Sequence, residues 1–251
     1  MKEADIPELT VQGRIATIEL RRPQQANRLS PDDLAALASQ VEAVNGMQEV
    51  LVLQLRAGGK YFCSGYDIHQ IGSGQKADFE GMVNALEHAR PVSVAVLQGG
   101  VYGGATDLAL ACDFRLGASD IDMFMPAARL GLHFYRSGLQ RYVSRLGLNA
   151  AKRLFLTGER IDAAEMKAIG FLTHLSAPET LKAEAQGLCD AIAGMAPLAL
   201  QGMKRHLNDI ARGELDTVAL QGDIVRTLRS ADLREGQAAW AEKREPRFKG
   251  S

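Results

Sequence analysis

The residues with the clearest capacity for chemistry run from Gly99 through Gly100, Val101, Tyr102, Gly103, Gly104, Ala105 and Thr106 to Asp107. The apolar run before them, Val92 to Leu97, has the length and composition of a buried strand. The glycines read as a turn that opens a helix with a carboxylate in its first turns. Glycine in such a turn lets backbone N–H groups approach a ligand closely. The first N–H groups of a helix lack internal partners and carry partial positive charge. The stretch therefore suits an oxygen that becomes negative during a reaction. Asp107 lies one turn further in, placed to act as a base or to hold water.

Several elements must position that turn. Arg14 to Leu20 alternates as a strand does, and Pro23 closes it. Ser30-Pro31-Asp32-Asp33 is a helix start with Ser30 as N-cap, Pro31 in the first position and acids in the first turn. Leu34, Leu37, Val41 and Val44 follow at helical spacing. Val50 to Leu55 reads as a strand, 78–89 as a helix with Phe79, Met82, Val83 and Leu86 on one face, and Phe114 to Leu116 as a short strand. Strands alternating with helices imply crossover connections and a mainly parallel sheet. Ligands on such sheets bind beyond the carboxyl ends of the strands. The segments Gly58–Asp67 and Gly99–Asp107 both fall at such ends, so they are expected side by side.

From about Ser137 the pattern turns helical. Asn149 is expected to cap a helix over 150–157. Asp162 is expected to cap one over 163–169, with Gly170 at its end. Phe171 to Leu175 is a short apolar run, and 178–194, 197–212 and 214–230 read as further helices.

The whole chain sets the bounds. Its 251 residues suffice for a sizeable core, and a net charge of -1 with interspersed signs is not the footprint of a nucleic-acid binder. The charged start, Met1 to Pro7, lacks the apolar run of a secretory signal. No apolar stretch reaches the ~18 residues of a membrane span. Cys63, Cys112 and Cys189 are few and widely spaced, which suits a reducing, cytoplasmic setting and neither a disulfide framework nor a metal site.

Four segments carry a family likeness. Gly59-Lys60-Tyr61-Phe62-Cys63-Ser64-Gly65-Tyr66-Asp67-Ile68 resembles the G-x-x-F-x-x-G-x-D-[ILM] segment of the crotonase superfamily, the enoyl-CoA hydratases and isomerases. Gly99 to Asp113 resembles its second signature, a glycine-rich turn leading into a helix that ends in A-C-D. Leu156 to Ile161, with Ala164, Gly170 and Leu172, is similar to a third, and Glu242 to Gly250 to the usual C-terminus. The resemblance implies an α/β fold, a crotonase-like spiral of ββα turns with a C-terminal helical trimerisation region. It divides the chain into a core over 1–190 holding the CoA-thioester site and a helical region over 191–251 for oligomer contacts. The implied partner is an acyl-CoA thioester bound by a homotrimer or hexamer. No separate cofactor is implied, since coenzyme A enters with the substrate. Carried over by position, the backbone N–H groups of Tyr66 and Gly104 hold the thioester oxygen, and Ser64, Asp67, Ile68 and Gly103 lie beside the substrate.

The sequence also departs from the family. Hydratases of this kind use two glutamates on one water. The first position is Asp107, a methylene shorter. The second, after Pro126, is Ala127. Hydration needs one group to deprotonate water and one to protonate carbon, and half of that pair is gone. Beyond Ala127 the chain supplies His133, Tyr135 and Arg136 to a segment that borders the acyl pocket in the family. A histidine titrates near neutrality, a tyrosine donates a proton, and an arginine holds a carboxylate in a two-pronged pair. Gly65-Tyr66-Asp67-Ile68-His69 is similar to the G-H-D-I-H of methylmalonyl-CoA decarboxylases in the superfamily. Three readings follow beside the hydratase/isomerase-like one: decarboxylation of a malonyl-type thioester; use of bicarbonate in place of the lost acid, as in the family's naphthoate synthases; and a non-catalytic acyl-CoA-binding or scaffold trimer.

Overall fold

The computed structural model describes residues 6–67 and 78–251. Ile68 and His69, singled out above, lie outside the described residues.

The expected mainly parallel sheet is present. Strands β1 (Glu8–Gln12), β2 (Ile15–Leu20), β3 (Val52–Ala57), β5 (Val92–Leu97), β7 (Phe114–Ala118) and β10 (His174–Ser176) form a six-stranded sheet in that order. Only the β1–β2 pair is antiparallel. Strand β5 is buried along its whole length, as a strand covered on both faces must be. Helix α1 (Pro31–Gly46) begins with a capping box in which the Ser30 and Asp33 side chains bond each other's backbone N–H, worth ~1 kcal/mol. Helix α2 (Phe79–Glu87) and helix α3 (Gly104–Ala111) follow β4 (Tyr61–Cys63) and β6 (Gly100–Tyr102) respectively.

These short strands belong to a second sheet, in the order β4, β6, β8 (Asp122–Phe124), β9 (Arg160–Asp162). Each turn of the chain gives one strand to the large sheet, one to the small sheet, and then a helix: β3, β4, α2; β5, β6, α3. This is the ββα spiral. Gly100–Tyr102, read in the sequence as part of a turn, is a strand. It pairs in parallel with β4, Tyr61 opposite Gly100 and Cys63 opposite Val101, and so sets the two glycine-bearing segments side by side.

Helix α4 (Arg136–Thr157) is kinked at Gly147, two residues before the expected cap, and its second stretch covers the expected 150–157. Asn149 lies inside it, and the one non-helical residue is Gly147, at φ 80°. Asp162 does cap α5 (Ala163–Ala168), accepting a hydrogen bond from the Glu165 N–H. Helices α6 (Leu181–Ala193), α7 (Pro197–Arg212), α8 (Thr217–Leu228) and α9 (Ala231–Glu242) complete the chain. Residue 190 falls inside α6. The sequence reading continued one helix to 230 and did not distinguish α9, whose N-cap is Ser230. Among the described residues, no helix is long and apolar enough to cross a membrane.

Candidate functional site

The site begins with backbone. Ser64 donates its N–H to the Ala26 carbonyl at 2.9 Å. The next residues run beside Leu29: Leu29 N–H donates to the Gly65 carbonyl at 2.8 Å, and Asp67 N–H donates to the Leu29 carbonyl at 2.9 Å. Backbone groups alternate in direction along an extended segment. With its neighbours turned to Leu29, the Tyr66 N–H points the other way. Gly65, at φ 93°, makes the turn that allows this. A methyl group on Gly65 would lie 2.8 Å from the Tyr102 carbonyl oxygen and 3.1 Å from the Gly104 nitrogen. Only glycine lets these two segments come so close.

On the other side, Gly103 precedes α3 at φ 54°, ψ -129°, and its N–H is taken by the Phe124 carbonyl at 3.0 Å. Gly104 is the first residue of α3. Among the described residues, neither the Tyr66 nor the Gly104 N–H has an acceptor. Two unsatisfied donors are thus brought together at the positive end of a helix, an arrangement suited to an oxygen carrying developing charge.

Asp107 lies one turn along α3 and is fully buried. Its Oδ2 accepts from the Tyr135 hydroxyl and from Arg141 Nη1, the latter at 2.5 Å. Its Oδ1 is buried and has no hydrogen-bond partner among the described residues. Burial pushes the carboxyl above its ordinary value, and Arg141 and Tyr135 oppose that rise. Burial, reinforced by the facing carboxylate, raises the Tyr135 phenol, which keeps it protonated and donating.

The sequence candidates separate here. Tyr135 meets Asp107. His133 is exposed, with Nδ1 2.7 Å from the Phe134 carbonyl oxygen. Arg136 is exposed and has no ion-pair or hydrogen-bond partner among the described residues. Asp67 is within 3.5 Å of Arg28. Ala127 is buried at the start of a 3-10 turn whose Leu130 and Leu132 N–H groups return to its carbonyl. The neighbouring Pro126 ring would be 3.9 Å from a methyl group on Gly103, so Ala127 follows a residue that lies beside the glycine turn.

Three residues were missed by the sequence reading of the site. Phe79, taken only as part of an apolar helix face, packs between Tyr66 (6.0 Å between ring centroids) and Tyr135 (6.1 Å). Its ring closes on the start of α3, where a methyl group on Gly104 would come within 2.8 Å of it. Arg141 and Glu87 form a buried pair behind Asp107. Arg141 Nε and Nη2 meet the two Glu87 oxygens at 3.0 and 3.1 Å, and Nη2 also reaches Asn84 Oδ1 at 2.8 Å. A signal existed: Gly138, Arg141, Tyr142 and Arg145 recur at helical spacing, and Glu87 follows Leu86 on the apolar side of α2.

The family model described as enoyl-CoA hydratase/isomerase matches residues 10–251. An enoyl-CoA isomerase/hydratase of Mycosarcoma maydis is 32% identical over 213 residues, covering 79% of this chain and 76% of that protein. The mitochondrial enoyl-CoA hydratase domain-containing protein 2 of Bos taurus is 30% identical over 254 residues, covering 94% and 84%. The crystal structure of an enoyl-CoA hydratase/carnithine racemase from Magnetospirillum magneticum superposes with a TM-score of 0.91 at 26% identity, covering 98% and 96%. With the profile matched along nearly its whole length, this chain belongs to the enoyl-CoA hydratase/isomerase family.

Proposed function

We propose that this chain is an enoyl-CoA hydratase/isomerase-like enzyme that forms and quenches the enolate of an acyl-CoA thioester with a single carboxylate. The observation that carries this reading is the unsatisfied N–H pair of Tyr66 and Gly104, held together by Gly65, with the free oxygen of Asp107 one helical turn away. Asp107 Oδ1 takes the proton from the α-carbon. The C–H electron pair becomes the enolate double bond, and the carbonyl pair moves onto the thioester oxygen held by the two N–H groups. Each such donor can be worth ~3–4 kcal/mol in the transition state. Returning the proton to another carbon gives double-bond isomerisation. Hydration through two acids is disfavoured, since Ala127 supplies none. Ser64, Asp67 and Gly103 border the thioester in this reading, and coenzyme A enters only as part of the substrate.

A second reading rests on Arg136. Exposed, without an ion partner among the described residues, and adjacent to Tyr135, it could hold a substrate carboxylate. Decarboxylation of a malonyl-type thioester would then give the same enolate, with Tyr135 or His133 as the proton donor of that reading.

The assembly is proposed to be a cytoplasmic homotrimer or hexamer formed through the C-terminal helices. Met203, Leu207 and Ile210 are exposed along one stripe of α7, as are Val218 and Leu228 on α8 and Trp240 on α9, at 88%. Apolar patches of this kind mark interaction surfaces.

The test is incubation with saturated, 2-enoyl, 3-enoyl and malonyl-type acyl-CoAs in deuterated water, read by mass spectrometry. Deuterium uptake or isomerisation that is lost in Asp107→Asn supports the lead reading. Loss of carbon dioxide that depends on Arg136 supports the second. Binding without any mass change supports a non-catalytic acyl-CoA binder.

A further inference from the structure

Asp107 has a short side chain, and its carboxylate is held in place. Tyr135 and Arg141 both bind Oδ2, so the plane of the carboxylate is fixed and Oδ1 is the oxygen left over. Arg141 is itself held. Its side chain is 1% exposed, and its Nε and Nη2 edge forks onto Glu87 while Nη1 alone reaches Asp107. Glu87 is bound in turn by Arg212 Nη1 at 2.5 Å and Arg145 Nη2 at 3.4 Å. Helices α2, α3, α4 and α7 thus meet at one guanidinium and one carboxylate.

We propose that Arg141, clamped by Glu87, is a positioning residue: it orients the Asp107 carboxylate and sets its basicity, so that Oδ1 alone serves the substrate. This rests on the reading of Asp107 as the base. Neither Arg141 nor Glu87 touches the reacting atoms. The groups facing Asp107 are Tyr135, Arg141 and Tyr142 from α4 and its lead-in, and Glu87 from α2. Arg145 and Arg212 stand behind Glu87. Strand β6 adds none, because its Tyr102 hydroxyl turns to Asp122. Tyr142 is engaged with Thr106.

Two substitutions act on Asp107 in opposite directions. Arg141→Lys keeps the charge but cannot fork onto Glu87 and still reach Asp107, so the carboxylate loses a direct partner and is harder to ionise. Glu87→Gln removes a negative charge that opposes ionisation of Asp107 and leaves Arg141 its neutral hydrogen-bond partner.

The test is the pH profile of deuterium exchange into an acyl-CoA, measured as kcat/KM for the wild-type chain, Arg141→Lys, Glu87→Gln and Asp107→Asn, with thermal unfolding recorded for each. The expected result is an acid limb displaced upward by about one pH unit in Arg141→Lys and downward in Glu87→Gln, with the loss in Arg141→Lys falling on kcat more than on KM. Folded variants whose limbs coincide with the wild type overturn the proposal, even where unfolding temperatures drop, since a merely structural pair lowers stability without moving a limb. If Arg141→Lys does not fold, the direction of the Glu87→Gln limb decides alone. Undiminished exchange in Asp107→Asn is a separate outcome: it overturns the reading of Asp107 as base and this proposal with it.

Discussion

The two halves of the proposed site are made of different material. The donor half, Tyr66 and Gly104, is backbone, fixed by Leu29, by Gly65 and by the pairing of β4 with β6. The acid half, Asp107 with Tyr135, Arg141 and Glu87, is side chain, fixed by contacts among α2, α3 and α4 and the segment leading into α4. The Tyr66 donor needs no particular side chain of its own, whereas Gly65 and Gly104 have no room for one. A side-chain acid takes its orientation and basicity from its partners, so changes in them move its titration. The same comparison separates what Tyr66 contributes, a peptide N–H, from what Tyr135 contributes, a hydroxyl.

The largest effect is expected at the contact between segments. Gly65→Ala adds a methyl group against the Tyr102 carbonyl and the Gly104 nitrogen at a positive φ. It should displace a donor and cost ~100- to 1,000-fold in turnover, read as the exchange rate with unfolding checked in parallel. Tyr135→Phe keeps the ring between Phe79 and Phe134 and removes only the hydroxyl on Asp107. It should cost ~10- to 100-fold and move the acid limb upward, because the lost hydrogen bond favours the ionised carboxylate. Glu87→Gln should lower stability at neutral pH by ~3 kcal/mol. Glu87 is buried, yet Arg141, Arg145 and Arg212 hold its carboxyl below its ordinary value of 4.5. Its contribution is therefore complete above that pH and is lost as pH falls through the lower folded value. Chemical denaturation should show the gap between wild type and Glu87→Gln narrowing below pH 4.5. Tyr66→Leu should do least, within ~5-fold of wild-type exchange, because the N–H stays; a loss as large as that of Gly65→Ala would show that the phenol ring takes part.

The same divide explains what the sequence revealed. Strands β3 and β5 announce themselves as apolar runs, the start of α1 as Ser30-Pro31, and the cap of α5 as Asp162. That the two glycine-bearing segments approach closely was legible from the glycines and the strand order, while Tyr66 and Gly104 as donors came from the family resemblance. Strands β4, β6 and β8 have three residues each, too few for any periodicity, and exist only through their pairing. Helix α9 follows α8 without a glycine or proline break, so its start rests on the Ser230 hydroxyl and the Leu233 N–H. The helix expected over 150–157 is present, but its start is set by the kink at Gly147, a positive-φ residue, rather than by an Asn149 cap. In the acid half, Asp107 stood out by position. Arg141 and Glu87 did not, since 54 residues separate them and only the packing of α2 on α4 joins them. His133, which the sequence placed with Tyr135 and Arg136, turns its Nδ1 to its neighbour's carbonyl and stays exposed.

The central claim is that two backbone N–H groups polarise the thioester carbonyl, and vibrational spectroscopy reads that bond directly. An acyl-CoA carrying carbon-13 at its carbonyl would be bound to the wild-type chain and to Gly65→Ala, and the isotope-edited infrared stretch recorded. The account predicts a stretch lowered on binding to the wild type relative to water, and a return toward the solution frequency in Gly65→Ala. A bound thioester whose stretch matches that in water, or is lowered equally in both proteins, would contradict it.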